Sequence, residues 1–121
     1  METGARRAVS HFELTHQIIK AALAVHSELG PGLLESAYEA CLAYELRKAG
    51  LEVKAQVPLP LVYQGVKMDL GYRIDLLVAD EIVVEIKSIE AVAPVHKAQL
   101  LSYLRLSKKK VGLLIISTSL I

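Results

Sequence analysis

Hydrophobic residues in the first part of the chain recur every three or four positions, which is the spacing of one face of a helix. This pattern covers residues 12–29 and involves Leu14, Ile18, Ala21, Ala22, Val25 and Leu29. The tripeptide Gly-Pro-Gly at 30–32 interrupts it. A second helix is predicted from residue 33 to about 49, where Gly50 would end it, with a buried stripe of Leu34, Tyr38, Cys41, Leu42 and Leu46.

From residue 51 the pattern changes to short alternating runs that are typical of strands. One strand is predicted to end at about Val57 and another to run from Leu59 to Tyr63, and the two intervening prolines indicate a sheet edge or an irregular join. Gln64-Gly65 has the composition of a turn. Two stronger strands follow over 70–78 and 82–89. The sequence thus predicts four short strands in succession.

The last third of the chain returns to helical spacing and then ends in an apolar run. Residues 93–110 form the predicted helix, with Pro94 suited to its first turn. The run "VGLLIIST" at 111–118 is typical of a strand inside a sheet. Because this helix is long enough to connect two parallel strands, we predict an α/β domain with a mixed sheet flanked by helices.

Length and composition favour one globular domain. A chain of 121 residues is near the common domain size, so 1–121 is expected to form one domain, with 1–11 as a tail. No apolar run approaches the roughly 18 residues that cross a bilayer, and the N-terminus lacks a signal-peptide pattern. A single cysteine, Cys41, excludes an internal disulfide and a multi-cysteine zinc site. We expect a cytoplasmic protein that does not bind membranes.

Net charge says little about a nucleic-acid partner. The formal charge is +1, whereas strong nucleic-acid binders usually carry a visible basic excess. Only the run Lys108-Lys109-Lys110 stands out. It is either the solvated end of a helix, favoured by the helix dipole, or a phosphate contact.

Charged residues occur inside the two strongest predicted strands, where buried strands usually avoid them. Asp75 lies in "YRIDLLV", and Glu85 and Lys87 lie in "IVVEIKS" on one face of their strand. Burying an unpaired ion costs several kcal/mol, so these charges need a partner if the sheet is covered on both sides. An Asp-Glu pair sharing a cation would supply one, with Lys87 as a further partner or a catalytic group. The alternative is a wet sheet face with ordinary cross-strand ion pairs.

The register between these strands separates the two interpretations. A two-residue turn at Asp80-Glu81 would pair Asp75 with Ile86 and place the two carboxylates on opposite faces. A three-residue loop at 79–81 would pair Asp75 with Glu85, with their Cβ atoms about 5 Å apart. The metal-site hypothesis therefore requires an odd-numbered loop or a bulge, which the missing Asn-Gly or Asp-Gly signal favours.

The helix after these strands carries polar groups at matching spacing. Gln99 and Tyr103 are four residues apart and share a helix face, while Leu100, Leu101 and Leu104 are expected to face the core. Gln99 and Tyr103 could meet a nucleic-acid backbone or a water, or Tyr103 could simply pack. Two or three carboxylates holding Mg²⁺ suit phosphodiester hydrolysis, and a nearby lysine can orient the attacking water or offset charge in the transition state.

Several blocks resemble one family. "GLLESAY" matches the G-x-x-E-x-x-Y signature of the GxxExxY proteins through Gly32, Glu35 and Tyr38. Further blocks follow in the family's order: "VPLPLVYQG", "LGYRIDLLV", "VVEIKSIE" and "PVHKAQLLSYLRL". The resemblance spans about His26 to Leu114. The family is placed in the PD-(D/E)XK nuclease-like superfamily, so the resemblance implies a restriction-endonuclease-like core.

The resemblance also implies an active site. Asp75 matches the motif aspartate, and Glu85 and Lys87 match the E-x-K. Glu35 matches an acidic residue that many such nucleases place on the first core helix near the metal. The implied catalytic set is therefore Glu35, Asp75, Glu85 and Lys87, with the three carboxylates as ligands of Mg²⁺, or Mn²⁺ in its place.

By the same resemblance, the remaining motif positions are expected to support the site. Gln99 and Tyr103 match the Q-x-x-x-Y helix motif of the recombination-nuclease branch. Tyr38 is interpreted as the packing residue that fixes the helix carrying Glu35. His26 is expected on a helix face near the interhelix turn, or in a substrate or structural role linked to Glu35.

The C-terminus departs from the family, whose members usually continue past the last strand with a segment resembling "NFN", whereas this chain ends in "LLIISTSLI". A truncated or frameshifted reading frame is one hypothesis. The function expected from the resemblance is a metal-dependent nuclease that acts on nucleic acid, with DNA as the expected substrate. The alternative is a nuclease-like module that binds nucleic acid or protein, with weak or absent catalysis. Size alone suggests a homodimer as a way to engage both strands of a duplex.

Overall fold

The structure, a computed structural model, describes residues 10–117. It contains three helices, α1 (His11–Leu29), α2 (Glu35–Lys48) and α3 (Pro94–Ser107). The strands are β1 (Val53–Pro58), β2 (Leu61–Tyr63), β3 (Val66–Met68), β4 (Arg73–Val78), β5 (Ile82–Lys87) and β6 (Val111–Ile116). The predicted tail at 1–11 lies almost wholly outside the described residues. Residues 118–121, at the C-terminus that was predicted to depart from the family, also lie outside them.

Local sequence determines where the N-terminal helices begin. Ser10 caps α1 in a capping box with Glu13, so the helix starts one residue earlier than predicted. Helix α2 starts two residues later than predicted, after Gly30 and Gly32 adopt positive φ values of 71° and 100°. The Tyr38 hydroxyl donates a hydrogen bond to the Gly30 carbonyl, so α2 is tied to the turn that precedes it.

The main sheet has the strand order β1-β4-β5-β6. Neighbours β1/β4 and β4/β5 are antiparallel, and β5/β6 are parallel and connected by α3. The predicted α/β class with a mixed sheet is therefore confirmed, as is the position of Pro94 at the start of α3. Strand β1, which contains Pro58, lies at the edge of the sheet, where the missing N–H group of a proline is tolerated.

One strand was not predicted. Strands β2 and β3 pair with each other in a separate two-stranded sheet, so five strands rather than four precede α3. Gln64 and Gly65 form the two-residue turn between them, both with positive φ. The predicted turn was right, but the three residues after it are too short a run to be identified as a strand from sequence.

Both faces of the main sheet are covered. Helices α1 and α2 pack on one face in a cluster that includes Leu14, Ile18, Leu42, Leu46, Leu76, Val78, Ile82, Val84 and Ile86. Helix α3 packs on the other, in a cluster that includes Leu59, Ile74, Leu77, Val83 and Tyr103. Two predictions about the core were wrong. Leu34 is 77% exposed because α2 begins after it. Leu101 is exposed because Tyr103, and not Leu101, packs with Leu100 and Leu104 on the buried face of α3.

The β4–β5 register is the one that the metal-site hypothesis requires. Leu76 pairs with Val84 and Val78 with Ile82, which leaves the three-residue loop 79–81 between the strands. Ala79 and Asp80 have positive φ, as in a primed turn, and Glu81 is the additional residue that shifts the register. Asp75 and Glu85 therefore occupy opposing positions.

None of the helices in residues 10–117 combines the length and hydropathy that a bilayer crossing requires.

Candidate active site

The Asp75 and Glu85 carboxylates each accept a backbone hydrogen bond from the opposite strand of the β4–β5 pair. The Asp75 N–H donates to Oε2 of Glu85 at 2.9 Å, and the Ile86 N–H donates to Oδ2 of Asp75 at 2.9 Å. The regular ladder ends at the pair Leu76 and Val84, so each carboxylate takes the place of a backbone acceptor beyond that pair. The two carboxyl groups are thereby held together between the separating strands.

Burial makes the Glu85 carboxylate a high-energy group. Glu85 is 3% exposed, and burial raises the pKa of its carboxyl group to about 7 from an ordinary 4.5. The hydrogen bond from Asp75 opposes this rise in pKa, whereas the negative charge of Asp75 adds to it. A cation between the two carboxylates would relieve both the repulsion and the desolvation.

Lys87 lies two residues after Glu85 and therefore on the same strand face. It is partly buried, and its charge lowers the pKa of Glu85, so the two side chains are close enough to interact. Within residues 10–117, no ion pair closer than 4 Å involves Lys87. Its ammonium group is thus available to a phosphate or a water at the site.

Helix α3 brings Gln99 and Tyr103 to the same region. The Gln99 side-chain amide donates to the Tyr103 hydroxyl at 3.2 Å. Burial raises the pKa of Tyr103, and the charges of Glu85 and Asp75 raise it further. The motif on α3 therefore lies beside the carboxylate pair, with the tyrosine packed in the core and the glutamine fixing its hydroxyl.

Glu35 has a different partner. Its Oε2 accepts a hydrogen bond from the Ser88 N–H at 2.7 Å, at the point where β5 has just ended. Among residues 10–117, no three His, Cys, Asp or Glu side chains are grouped so that they could hold a metal ion. The prediction that Glu35 completes a three-carboxylate site finds no support in this arrangement, although Glu35 does lie next to the strand end that carries Lys87.

Two residues at the site were missed from sequence. The Gln56 amide donates to Oε1 of Glu39 at 2.8 Å and to Oδ1 of Asp75 at 3.4 Å. Burial and the charge of Asp75 raise the pKa of Glu39. Glu39 is four residues after Glu35, on the same face of α2, and that spacing could have identified it. Gln56 adopts a φ of 53°, which no sequence signal indicated.

A chain of hydrogen bonds supports the ends of β5 and β6. His26 is buried, and its Nε2 donates to the Ser117 carbonyl at 2.8 Å. The hydroxyls of Ser117 and Ser88 lie 3.1 Å apart, and the Ser117 N–H donates to the Lys87 carbonyl at 2.9 Å. Through Ser88 this chain reaches Glu35. Of the two interpretations of His26, the structure favours the structural one.

The lysine run lies elsewhere. Lys109 forms an ion pair of 3.4 Å with Asp80, in the loop between β4 and β5. That loop is at the opposite end of these strands from Asp75 and Glu85. The run therefore does not contact the site, in agreement with its interpretation as a helix end.

A comparison with protein families decides the classification. The family model of the PD-(D/E)XK nuclease superfamily matches residues 12–118, which is most of the chain. The chain belongs to the PD-(D/E)XK nuclease superfamily. No curated protein and no solved structure gave a significant match. The restriction-endonuclease-like core predicted from sequence is confirmed by this match together with the three helices and the four-stranded mixed sheet. The narrower resemblance to the GxxExxY proteins is compatible with it and stays a prediction.

The PD-(D/E)XK residues fit a divalent cation. Members of the superfamily generally use such ions. Mg²⁺ in proteins is commonly held by one or two carboxylates, with waters and substrate phosphate oxygens completing its octahedron. Asp75 and Glu85 supply two hard oxygen ligands on adjacent strands, and the desolvated state of Glu85 favours a cation over an empty site. Two carboxylates beside one lysine can bind a metal ion, orient a phosphate and balance developing negative charge.

Proposed function

We propose that this protein is a metal-dependent nuclease that hydrolyses phosphodiester bonds in nucleic acid, with DNA as the expected substrate. The observation that supports this proposal most directly is the carboxylate pair of Asp75 and Glu85 beside Lys87, in which each carboxylate accepts a backbone hydrogen bond from the opposite strand. Membership of a nuclease superfamily supports the same reaction class.

In this proposal the site residues divide the work. Asp75 and Glu85 would hold Mg²⁺, or Mn²⁺ in its place, and a bound ion would supply Lewis-acid activation of the scissile phosphate and of a water. Lys87 orients the attacking water or stabilises the charge that develops on the phosphoryl oxygens. Gln99 and Tyr103 support the site from α3. Glu35 is retained as a site residue that holds the Ser88 end of β5, adjacent to Lys87.

The test is a cleavage assay on labelled single-stranded and double-stranded DNA and RNA, with Mg²⁺, with Mn²⁺ and with EDTA. Wild type is expected to cleave only with a divalent ion. Glu85→Gln and Lys87→Met should each reduce the rate by at least about a hundredfold, the usual scale for losing one group that stabilises charge in the transition state. Circular dichroism would verify that both variants are folded.

Matched controls come from the same chain. Glu52 is exposed and lies just before β1, opposite the far end of β4, and Lys20 is exposed on α1. Glu52→Gln and Lys20→Met should therefore cleave like wild type. Equal activity of wild type and the Glu85 and Lys87 variants would point to a contaminating nuclease and contradict the proposal.

A nuclease-like interaction module is the second candidate. One observation favours it: Glu35 is hydrogen-bonded to Ser88 rather than grouped with Asp75 and Glu85, so the site has fewer carboxylates than the sequence predicted. Persistent nucleic-acid binding by wild type, with no cleavage under any metal condition, would favour the module. The cytoplasmic location and the homodimer also stay predictions, and light scattering of the purified protein tests the second.

A further inference from the structure

Strands β2 and β3 form the tip of an arm that extends the β1–β4 pair beyond the carboxylates. Pro58 pairs with Arg73, and the Leu59 N–H then donates to the Tyr72 carbonyl at 2.8 Å. The chain between those two residues, 59–72, is named the β-arm here. Asp75 lies only three residues after the β-arm ends, so the β-arm leaves the sheet at the same end as the candidate active site.

The β-arm carries an exposed apolar surface. Its strands hydrogen-bond to each other and not to the main sheet. The exposed large side chains on it are Val62, Tyr63, Val66, Met68, Leu70 and Tyr72. By the β2–β3 register, Tyr63, Val66 and Met68 share one face of this hairpin. An exposed apolar patch on a small protein usually marks a binding site.

Tyr72 connects this surface to the active site. Its ring lies 6.1 Å from the ring of Tyr103 at an angle of 49°, and the residue is still 42% exposed. Tyr103 is buried and interacts electrostatically with Glu85 and Asp75. The exposed ring of Tyr72 therefore neighbours the ring of Tyr103, which in turn lies near the residues proposed to bind the metal ion.

We infer that the substrate of this site is an unpaired nucleic-acid strand, whose bases stack on Tyr72 and on the tip residue Tyr63 while its backbone passes the carboxylates. The inference rests on the proposed nuclease function and extends it to a substrate class. Proteins commonly bind single strands through a positively charged groove and aromatic side chains on which the bases stack, because every unpaired base has an exposed face.

Charge favours a single strand over a duplex at this surface. From residue 59 to 73 the cations are Lys67 and Arg73 and the only anion is Asp69. Two cations can accompany a few phosphates, but a duplex has twice the density of backbone charge and hides its base faces within the stack. Apolar and aromatic side chains would gain little from a duplex backbone, whereas they can cover unpaired bases.

The experiment measures fluorescence anisotropy with labelled 12-nucleotide strands and with the matching duplexes, using Ca²⁺ in place of Mg²⁺ so that cleavage does not interfere. Wild type should bind the single strand at least tenfold more tightly than the duplex. Tyr72→Leu and Tyr63→Leu should each weaken single-strand binding by about tenfold, the scale of losing one base stack. Tyr72→Phe should keep wild-type affinity, because the ring remains.

Tyr44→Leu is the matched control. Tyr44 is 61% exposed, comparable to Tyr63 at 58%, but it lies on α2 with the Lys48 ammonium 5.5 Å from its ring centre. Its loss should leave single-strand binding unchanged. Melting curves of all variants would show whether a loss of binding reflects unfolding, and Tyr63→Leu removes a side chain that has little packing to lose.

The outcomes separate this inference from the proposed function. Tighter duplex binding, or unchanged single-strand binding in both leucine variants, would overturn the inference while metal-dependent cleavage by wild type could still stand. Absence of binding and of cleavage would overturn both. A wild-type dimer that becomes monomeric in the β-arm variants, with strand binding unaffected, would assign the surface to a second copy of the chain and reject the inference.

Discussion

Neutralising Glu85 should stabilise the metal-free protein at alkaline pH. It should also remove the loss of unfolding free energy that this group causes between pH 5 and pH 8. The residue is buried beside Asp75, and its pKa is raised to about 7 from 4.5. An acid whose pKa is higher in the folded state than in the unfolded state binds its proton more tightly when folded. Its contribution to stability is therefore fully present below pH 4.5 and is lost as the pH rises through 7.

The magnitude follows from the two pKa values. Their separation corresponds to about 3 kcal/mol, since one pKa unit is about 1.4 kcal/mol. Between pH 5 and pH 8, linkage predicts that wild type loses most of this unfolding free energy through Glu85. Glu85→Gln keeps an oxygen that can accept the Asp75 N–H but carries no charge at either pH. At pH 8 the variant should therefore be more stable than wild type by up to about 3 kcal/mol.

Urea unfolding of wild type and Glu85→Gln at pH 5 and pH 8, with EDTA present, measures this difference. Glu52→Gln is the control, because it removes an exposed carboxylate at the other end of the sheet and should follow wild type at both pH values. If Glu85→Gln loses as much stability as wild type between pH 5 and pH 8, then Glu85 is not the desolvated carboxylate that the structure indicates, and the case for a cation at this pair fails.

Three further predictions concern the metal ion, the role of Glu35 and the core. Mg²⁺ should raise the melting temperature of wild type more at pH 8 than at pH 6, because the proton on Glu85 competes with the metal, and the increase should vanish in Asp75→Asn. Glu35→Gln should retain this response to Mg²⁺ in the same melting assay, since Glu35 bonds to Ser88 and not to the pair; loss of the response would restore Glu35 as a ligand. Leu46→Ala should reduce the unfolding free energy by about 2 to 5 kcal/mol in urea because Leu46 is fully buried, whereas Leu34→Ala at an exposed position should change it by less than about 0.5 kcal/mol.

Periodicity and charge placement predicted the main features of this fold. Apolar spacing identified α1, and the continuous apolar run after α3 identified the parallel strand β6. The prediction that this strand lies inside the sheet was wrong, because β6 is at the sheet edge beside β5. The metal-site hypothesis required an odd-numbered loop or a bulge between β4 and β5, and the three-residue loop of the structure meets that condition. Such features depend on one element or on two neighbouring strands, so local sequence is sufficient to predict them.

Features that depend on distant packing were not predictable in this way. Leu34 has the spacing of a core residue, but the helix that would bury it begins only at Glu35. Leu101 was predicted to face the core with Leu100 and Leu104, but Tyr103 packs with those two leucines in the cluster under α3 and Leu101 is exposed. The partner of Glu35 is a backbone N–H 53 residues away, which no spacing rule specifies.

A single backbone irregularity relates the active site to the β-arm. Val53 packs in the cluster under α1 and α2, but Val57, four residues along the same strand, packs in the cluster under α3. A regular strand would keep both on one face. The change of face occurs at Gln56, whose φ is 53°, and it is matched on β4 on either side of Asp75.

This irregularity explains why Asp75 can act as a site residue at all. Gln56 and Asp75 lie opposite each other but are omitted from the β1–β4 ladder. The β4–β5 ladder ends at Leu76, the residue next to Asp75. The Asp75 N–H is consequently used by the Glu85 carboxylate rather than by a strand neighbour. A left-handed glutamine costs about 1 to 2 kcal/mol, which the two hydrogen bonds of its amide to Glu39 and Asp75 help to offset. This distortion lies three residues before the start of the β-arm and beside Asp75, so the candidate site and the β-arm adjoin the same irregularity of β1 and β4.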